Sequence, residues 1–206
     1  TKIAESAFES CTSLECISIP SSVNHIEWST FENCSLLKEI TIPPLVTEID
    51  CSVFKNCISL AKISIPSSVT IIGESAFDSC TSLKSISIPS SVNHIEWRAF
   101  KNCLLLKEIT IPPLETEIAG FAYFNCSSLV HISIPSSVSK IHRCAFCGCS
   151  SLKEISIPSS VTEIYCCAFY RCSSLVNILI PSSVKVIKSC IFYGCSSLTQ
   201  ISISES

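Results

Sequence analysis

The sequence predicts an α/β solenoid. It reads as a right-handed stack of nine 23-residue coils, with a parallel β-sheet on the concave side and short helical or 3₁₀ turns on the convex side. Three combs of residues lead there. Pro20, Pro43, Pro66, Pro89, Pro112, Pro135, Pro158 and Pro181 recur every 23 residues. Cys11, Cys34, Cys57, Cys80, Cys103, Cys126, Cys149, Cys172 and Cys195 keep the same period. Leu14, Leu37, Leu60, Leu83, Leu106, Leu129, Leu152, Leu175 and Leu198 follow three residues after the cysteines. A fixed period of this length marks an array in which each repeat buries its apolar face only against its neighbours. No comb skips a tooth and no linker or charge run intervenes, so residues 1–206 read as a single domain.

Each element of the coil follows from its residues. In Leu83-x-x-Ile86-x-Ile88, the two isoleucines share one side of an extended segment, and Ser85 and Ser87 share the other. β-Branched residues favour such a half-buried strand. Nine strands are therefore expected, one after each comb leucine. Pro89 ends the strand because it has no N–H to give a ladder. Ser90-Ser91 forms a turn, and Val92-x-x-Ile95 brings apolar side chains back inward. Ser75-Ala76-Phe77 and Arg98-Ala99-Phe100 read as single helical or 3₁₀ turns leading into the comb cysteine. Stacked coils place strands ~4.8 Å apart. Wider turns opposite the sheet would curve the array, with the sheet on the inner face.

The pattern Leu-x-x-Ile-x-Ile-Pro-x-x-Val-x-x-Ile, then Ala-Phe-x-x-Cys-x-x-Leu, closely resembles the BspA-like, or Treponema pallidum-type, leucine-rich repeat, and the resemblance covers the whole chain. It implies a bacterial or protist surface protein implicated in adhesion. Departures from the pattern are Glu115 in the Val92 place, Tyr123 in the Phe100 place and Ser204 in the next proline place. A second period lies over the first: residues 5–69 and 74–138 agree at about three-quarters of positions, which indicates duplication of a three-coil block. Arrays that grow in this way suit extended binding surfaces. Thr1 opens in mid-repeat and the chain has no Met, so it is read as a fragment of a longer array.

Composition narrows the function classes. Apolar residues make up 47% and charged residues 15%, with a net charge of −3. No basic field exists to hold nucleic acid or an anionic membrane. Ser and Pro interrupt every repeat, so no stretch reaches the ~18 apolar residues of a transmembrane helix. No Ser/His/Asp order, phosphate loop or paired catalytic carboxylates emerges, and the expectation is a non-enzyme without metal or cofactor.

The sixteen cysteines are read first as packing. The comb places a small thiol inside every coil, where free Cys is commonly buried. Stacked neighbours fall within disulfide range, so an occasional bridge is compatible with the geometry. Cys144, Cys167 and Cys190 form a second ladder, with Cys147 and Cys166 beside it. Cys144-x-x-Cys147 has metal-site spacing but lacks a second such pair. His25 and His94 are copies three coils apart, and these with His131 and His142 read as exposed turn residues. Asn33-Cys34-Ser35 and Asn125-Cys126-Ser127 match the glycosylation triplet, although both arise from the repeat itself.

The binding face is predicted from contrast between rows. Ser18, Thr41, Ser64, Ser87, Thr110, Ser133, Ser156, Leu179 and Ser202 are nearly uniform. Two residues earlier the row is Cys16, Glu39, Lys62, Ser85, Glu108, His131, Glu154, Asn177 and Gln200, which varies in charge and size. Glu39, Lys62, Ser85, Glu108, His131, Glu154 and Asn177 are the predicted partner-binding residues, flanked by Lys38, Lys84, Lys107 and Lys153. Cross-ladder pairing of these lysines and glutamates is the simpler alternative. Trp28 and Trp97 are a second candidate on the flank, with burial in the turn as the competing expectation. The predicted role is a cell-surface or secreted adhesin module binding a host, matrix or other surface protein. The alternative is a cytoplasmic scaffold for protein–protein contacts.

Overall fold

The computed structural model describes residues 1–204, and it is a parallel β-solenoid of nine coils. One row of strands forms two ladders, Glu39–Thr41 with Lys62–Ser64, and Glu108–Thr110, His131–Ser133, Glu154–Ser156, Asn177–Ile180 and Gln200–Ile203. Its central isoleucines point inward while the residues on either side face solvent, as a period of two requires. The expected nine strands are thus seven. The first and fourth coils contribute only isolated bridges, Cys16 to Glu39 and Ser85 to Glu108. Those two coils are copies within the duplicated block, so the weak pairing is duplicated with the sequence.

A second row of parallel strands runs through the Val-x-x-Ile return segments, where the sequence pointed only to inward side chains. Its strands are Lys2–Ile3, His25–Ile26, Glu48–Ile49, Ile71–Ile72, His94–Ile95, Glu117–Ile118, Lys140–Ile141 and Glu163–Ile164. Between the two sets of strands lies a core of stacked identical rows. Phe8, Phe31, Phe54, Phe77, Phe100, Tyr123, Phe146, Phe169 and Phe192 stack with ring centroids 5.3 to 5.8 Å apart. Planes this close to parallel favour an offset arrangement. The comb cysteines from Cys34 to Cys172 are buried beside this aromatic column.

The convex side corrects the expectation. No helix occurs among the described residues, and each Ala-Phe segment is a run of turns. The fold is all-β rather than α/β. Two residues per coil, four positions apart, take the left-handed conformation: Ser29 and Asn33, Ser75 and Ser79, Arg98 and Asn102, and so on along the array. That conformation costs of order 1 kcal/mol for a non-glycine residue and interrupts any helix. Inter-coil hydrogen bonds offset the cost. Ser29, Phe31 and Asn33 donate their N–H groups to Cys51, Val53 and Lys55 of the next coil at 2.9, 3.0 and 2.8 Å. The alternate residues, Thr30, Glu32 and Cys34, donate to carbonyls three residues back. The segment is therefore half turn and half ladder.

Two seams interrupt the return ladder, and at the first, between His25–Ile26 and Glu48–Ile49, the valine row is intact with Val46. At the second, His94–Ile95 and Glu117–Ile118 belong to different sheets. Glu115 occupies the row otherwise held by valine and is only 3% exposed. Its carboxylate accepts from Ile95 N–H at 2.6 Å and Thr116 N–H at 3.1 Å. In neighbouring coils the equivalents of the Thr116 N–H bridge coil to coil, as Asn93 to Thr70 does at 2.9 Å. At this seam the buried carboxylate takes the Thr116 N–H instead, and burial pushes its pKa up. The buried Asn93 side-chain oxygen beside this seam has no hydrogen-bond partner among the described residues.

Candidate binding surface

The strand ladder aligns the variable row. Glu39 pairs in register with Lys62, Glu108 with His131, Glu154 with Asn177, and Asn177 with Gln200. All seven predicted residues, Glu39, Lys62, Ser85, Glu108, His131, Glu154 and Asn177, are exposed on this one face. Two open depressions divide the face. The first, about 600 Å³, is lined by Glu39 and Lys62 with Cys16, Thr41 and Ser64. The second, about 440 Å³, gathers Glu108, His131 and Glu154 above Thr110, Ser133 and Ser156. Ser85 and Asn177 lie outside both linings. Lys62 and Ser85 are not ladder partners, so the row is interrupted between the third and fourth coils.

The charges of this row are left uncompensated. Among the described residues, none of Glu39, Lys62, Glu108 or Glu154 forms an ion pair, and of the flanking lysines only Lys38 does, with Glu15 at 2.7 Å. On the turns and return strands, by contrast, charges pair from coil to coil. Lys55 meets Glu32 at 2.8 Å, Lys101 meets Asp78 at 3.1 Å, and Glu117 holds both Lys140 and His142. The expected cross-ladder pairing therefore belongs mainly to the other faces. Exposed pairs of this kind contribute only ~0.2–1 kcal/mol each.

The tryptophans correct the expectation of burial. Trp28 is 47% exposed and Trp97 36%. The two copies differ in their neighbours. Trp97 lies over Gly120 of the next coil, where a β-carbon would meet the indole at 3.1 Å. The Arg143 guanidinium covers both Trp97, at 5.4 Å, and Phe121, at 5.2 Å. At the Trp28 copy the residue in the Gly120 place is Cys51. Sequence reading missed this cluster because its members come from three coils. The signal was present in the 23-residue column Trp97, Gly120, Arg143. His142 is likewise only half-exposed, bonded to Glu117 at 2.7 Å and stacked on Tyr165 at 5.1 Å. His25, His94 and His131 are exposed, but on strands rather than turns.

The comb thiols carry a bond the sequence did not reveal. Each from Cys34 to Cys195 donates to a phenylalanine or tyrosine carbonyl of the preceding coil, as Cys57 does to Phe31 and Cys149 to Tyr123. Burial raises these thiols, Cys126 to about 12. No disulfide is present among the described residues.

A family model for the BspA type leucine rich repeat region matches residues 1–130 and 116–206. The chain belongs to the BspA-type leucine-rich-repeat family. Solved structures agree with that placement. A leucine-rich repeat protein from Bacteroides ovatus is 29% identical, with a TM-score of 0.83 over 98% of this chain. The BspA-type chain spans 64% of that protein's length, under two thirds. A leucine rich cell surface protein from Faecalibacterium prausnitzii is 30% identical, with a TM-score of 0.60, 100% of this chain covered and 70% of the other. The T. pallidum leucine rich repeat protein is 27% identical, with a TM-score of 0.72 and 76% of each chain covered. No curated protein matches the sequence. Among the described residues, no helix is long and apolar enough to cross a membrane.

Proposed function

We propose that this BspA-type array is a non-enzymatic protein-binding module of a cell-surface adhesin, and that Glu39, Lys62, Ser85, Glu108, His131, Glu154 and Asn177 set its choice of partner. The observation that carries the reading is the uncompensated charge on an exposed, in-register row, set against charges that are paired on the other faces. Unpaired charge is available to steer and discriminate a partner. The cell-surface description of the Faecalibacterium relative supports the location. A cytoplasmic scaffold is the second reading, favoured by sixteen cysteines without a disulfide. The test immobilises the protein and screens extracellular-matrix and epithelial-surface proteins by biolayer interferometry. Saturable binding that Glu108→Lys with Glu154→Lys abolishes supports the adhesin. Binding that survives the double substitution but is lost with Trp97→Ala moves the site to the flank.

A further inference from the structure

The thiols fall into two populations. The comb thiols from Cys34 to Cys172 are buried and bonded to carbonyls, whereas Cys144, Cys166, Cys167 and Cys190 retain access to solvent at the other end of the same turns. Cys144, Cys167 and Cys190 hold one position in three consecutive coils, with φ of 55°, 59° and 57°. The same position carries Ser29, Ser52 and Ser75 in earlier coils, with φ of 53°, 57° and 57°. The backbone stacks these residues tightly: Cys144 N–H donates to the Cys166 carbonyl, and Cys167 N–H to Ser189, both at 3.2 Å. Equivalent side chains nearby follow the same rise, with the Tyr170 and Tyr193 rings 5.0 Å apart. A Cα separation near the ~4.8 Å strand spacing falls inside the ~4.4–6.8 Å range that a disulfide spans.

We propose that Cys144 and Cys167 form an inter-coil disulfide site, closed by exchange with a low-molecular-weight disulfide. The Cys144 thiolate attacks one sulfur of the external disulfide, whose S–S bond breaks and releases one thiolate. The Cys167 thiolate then attacks the Cys144 sulfur of the mixed disulfide, forming the protein bond and releasing the second thiolate. Two protein thiols are oxidised and one external disulfide is reduced. Cys167 is the partner because it is stacked, accessible and in contact with the Cys144 sulfur. Cys147 also touches Cys144, but it is buried whereas Cys167 keeps access to solvent; burial raises both thiols, Cys167 to about 11 and Cys147 to about 12, so access decides the partner. The bond would fasten the seventh coil to the eighth on the turn side, leaving the strand face free.

The test incubates the native chain with oxidised glutathione at about pH 8, where more thiolate is present. Free thiols are then alkylated and the peptides mapped without reduction. The expected result is a crosslinked Cys144–Cys167 peptide pair with no glutathione retained on either residue, whatever adducts form on the exposed Cys11, Cys16, Cys51 and Cys190. Cys167→Ser should instead trap glutathione on Cys144, and reaction of the native chain should accelerate with pH. Serine stands at this position in earlier coils, so the variant keeps a residue the turn already accommodates. A Cys144–Cys147 or Cys167–Cys190 link, stable glutathione adducts on Cys144 or Cys167 of the unsubstituted chain, or no loss of these two thiols would each overturn the proposal.

Discussion

The Cys80 thiol donates to the Phe54 carbonyl oxygen of the preceding coil at 3.1 Å, and the same oxygen accepts the Cys57 N–H at 3.1 Å. The comb cysteine is thus both a core filler and a donor joining two coils. Cys80→Ser shortens the side chain, stretches that bond and places a stronger dipole in an apolar row. It should cost on the order of 1–3 kcal/mol, read from the urea midpoint at unchanged m-value. An unchanged midpoint would show that sulfur is incidental there.

Thiol reactivity should divide along burial. Burial raises Cys57, Cys80 and Cys103, so thiolate is scarce as well as inaccessible. At neutral pH a maleimide should label Cys11, Cys16, Cys51 and Cys190, all exposed, within minutes. The three buried thiols should react only when denaturant is added. Mass mapping that finds early label on Cys80 would contradict the packing described here.

Glu115→Val should stabilise the protein. The folded-state pKa of Glu115 lies above its unfolded value, so its contribution is most favourable in acid and declines as pH rises through the folded pKa. At neutral pH the buried carboxylate therefore opposes folding, and the valine of the sister coils removes that cost. The gain should be of order 1 kcal/mol at pH 7 and shrink towards pH 4. Thermal melts across that range decide it, and a variant that melts lower at pH 7 would show that the carboxylate bonds outweigh burial.

Charge reversal at Glu108 and Glu154 should leave the melting temperature nearly unchanged, because both side chains project from exposed strand positions. Binding to a confirmed partner should weaken mainly through the association rate, with an altered salt dependence. A purely dissociative effect would place these residues inside a desolvated contact rather than at its rim.

Much of the candidate site was legible because the repeat converts sequence position into spatial row. Glu39, Lys62 and Glu108 share a face simply because they are separated by multiples of 23 residues. The unpaired state of their charges was not legible, since side-chain reach across a ladder depends on which rotamer each neighbour adopts. The partial cover that leaves Trp97 less exposed than Trp28 was not legible because it comes from Gly120 and Arg143, one and two coils away.

The chain alone determined the period, the coil count and the membership of each buried row, since every coil meets only its neighbours and repeats the same apolar positions. Tertiary structure decided the convex side. Ala-Phe segments that locally suit a helical turn stay open because Ser29, Phe31 and Asn33 find carbonyls on the next coil, a set of acceptors that no single repeat contains. It also decided the two breaks in the return ladder, after His25–Ile26 and after His94–Ile95, the second of which has the Glu115 carboxylate reaching the Ile95 N–H of another coil.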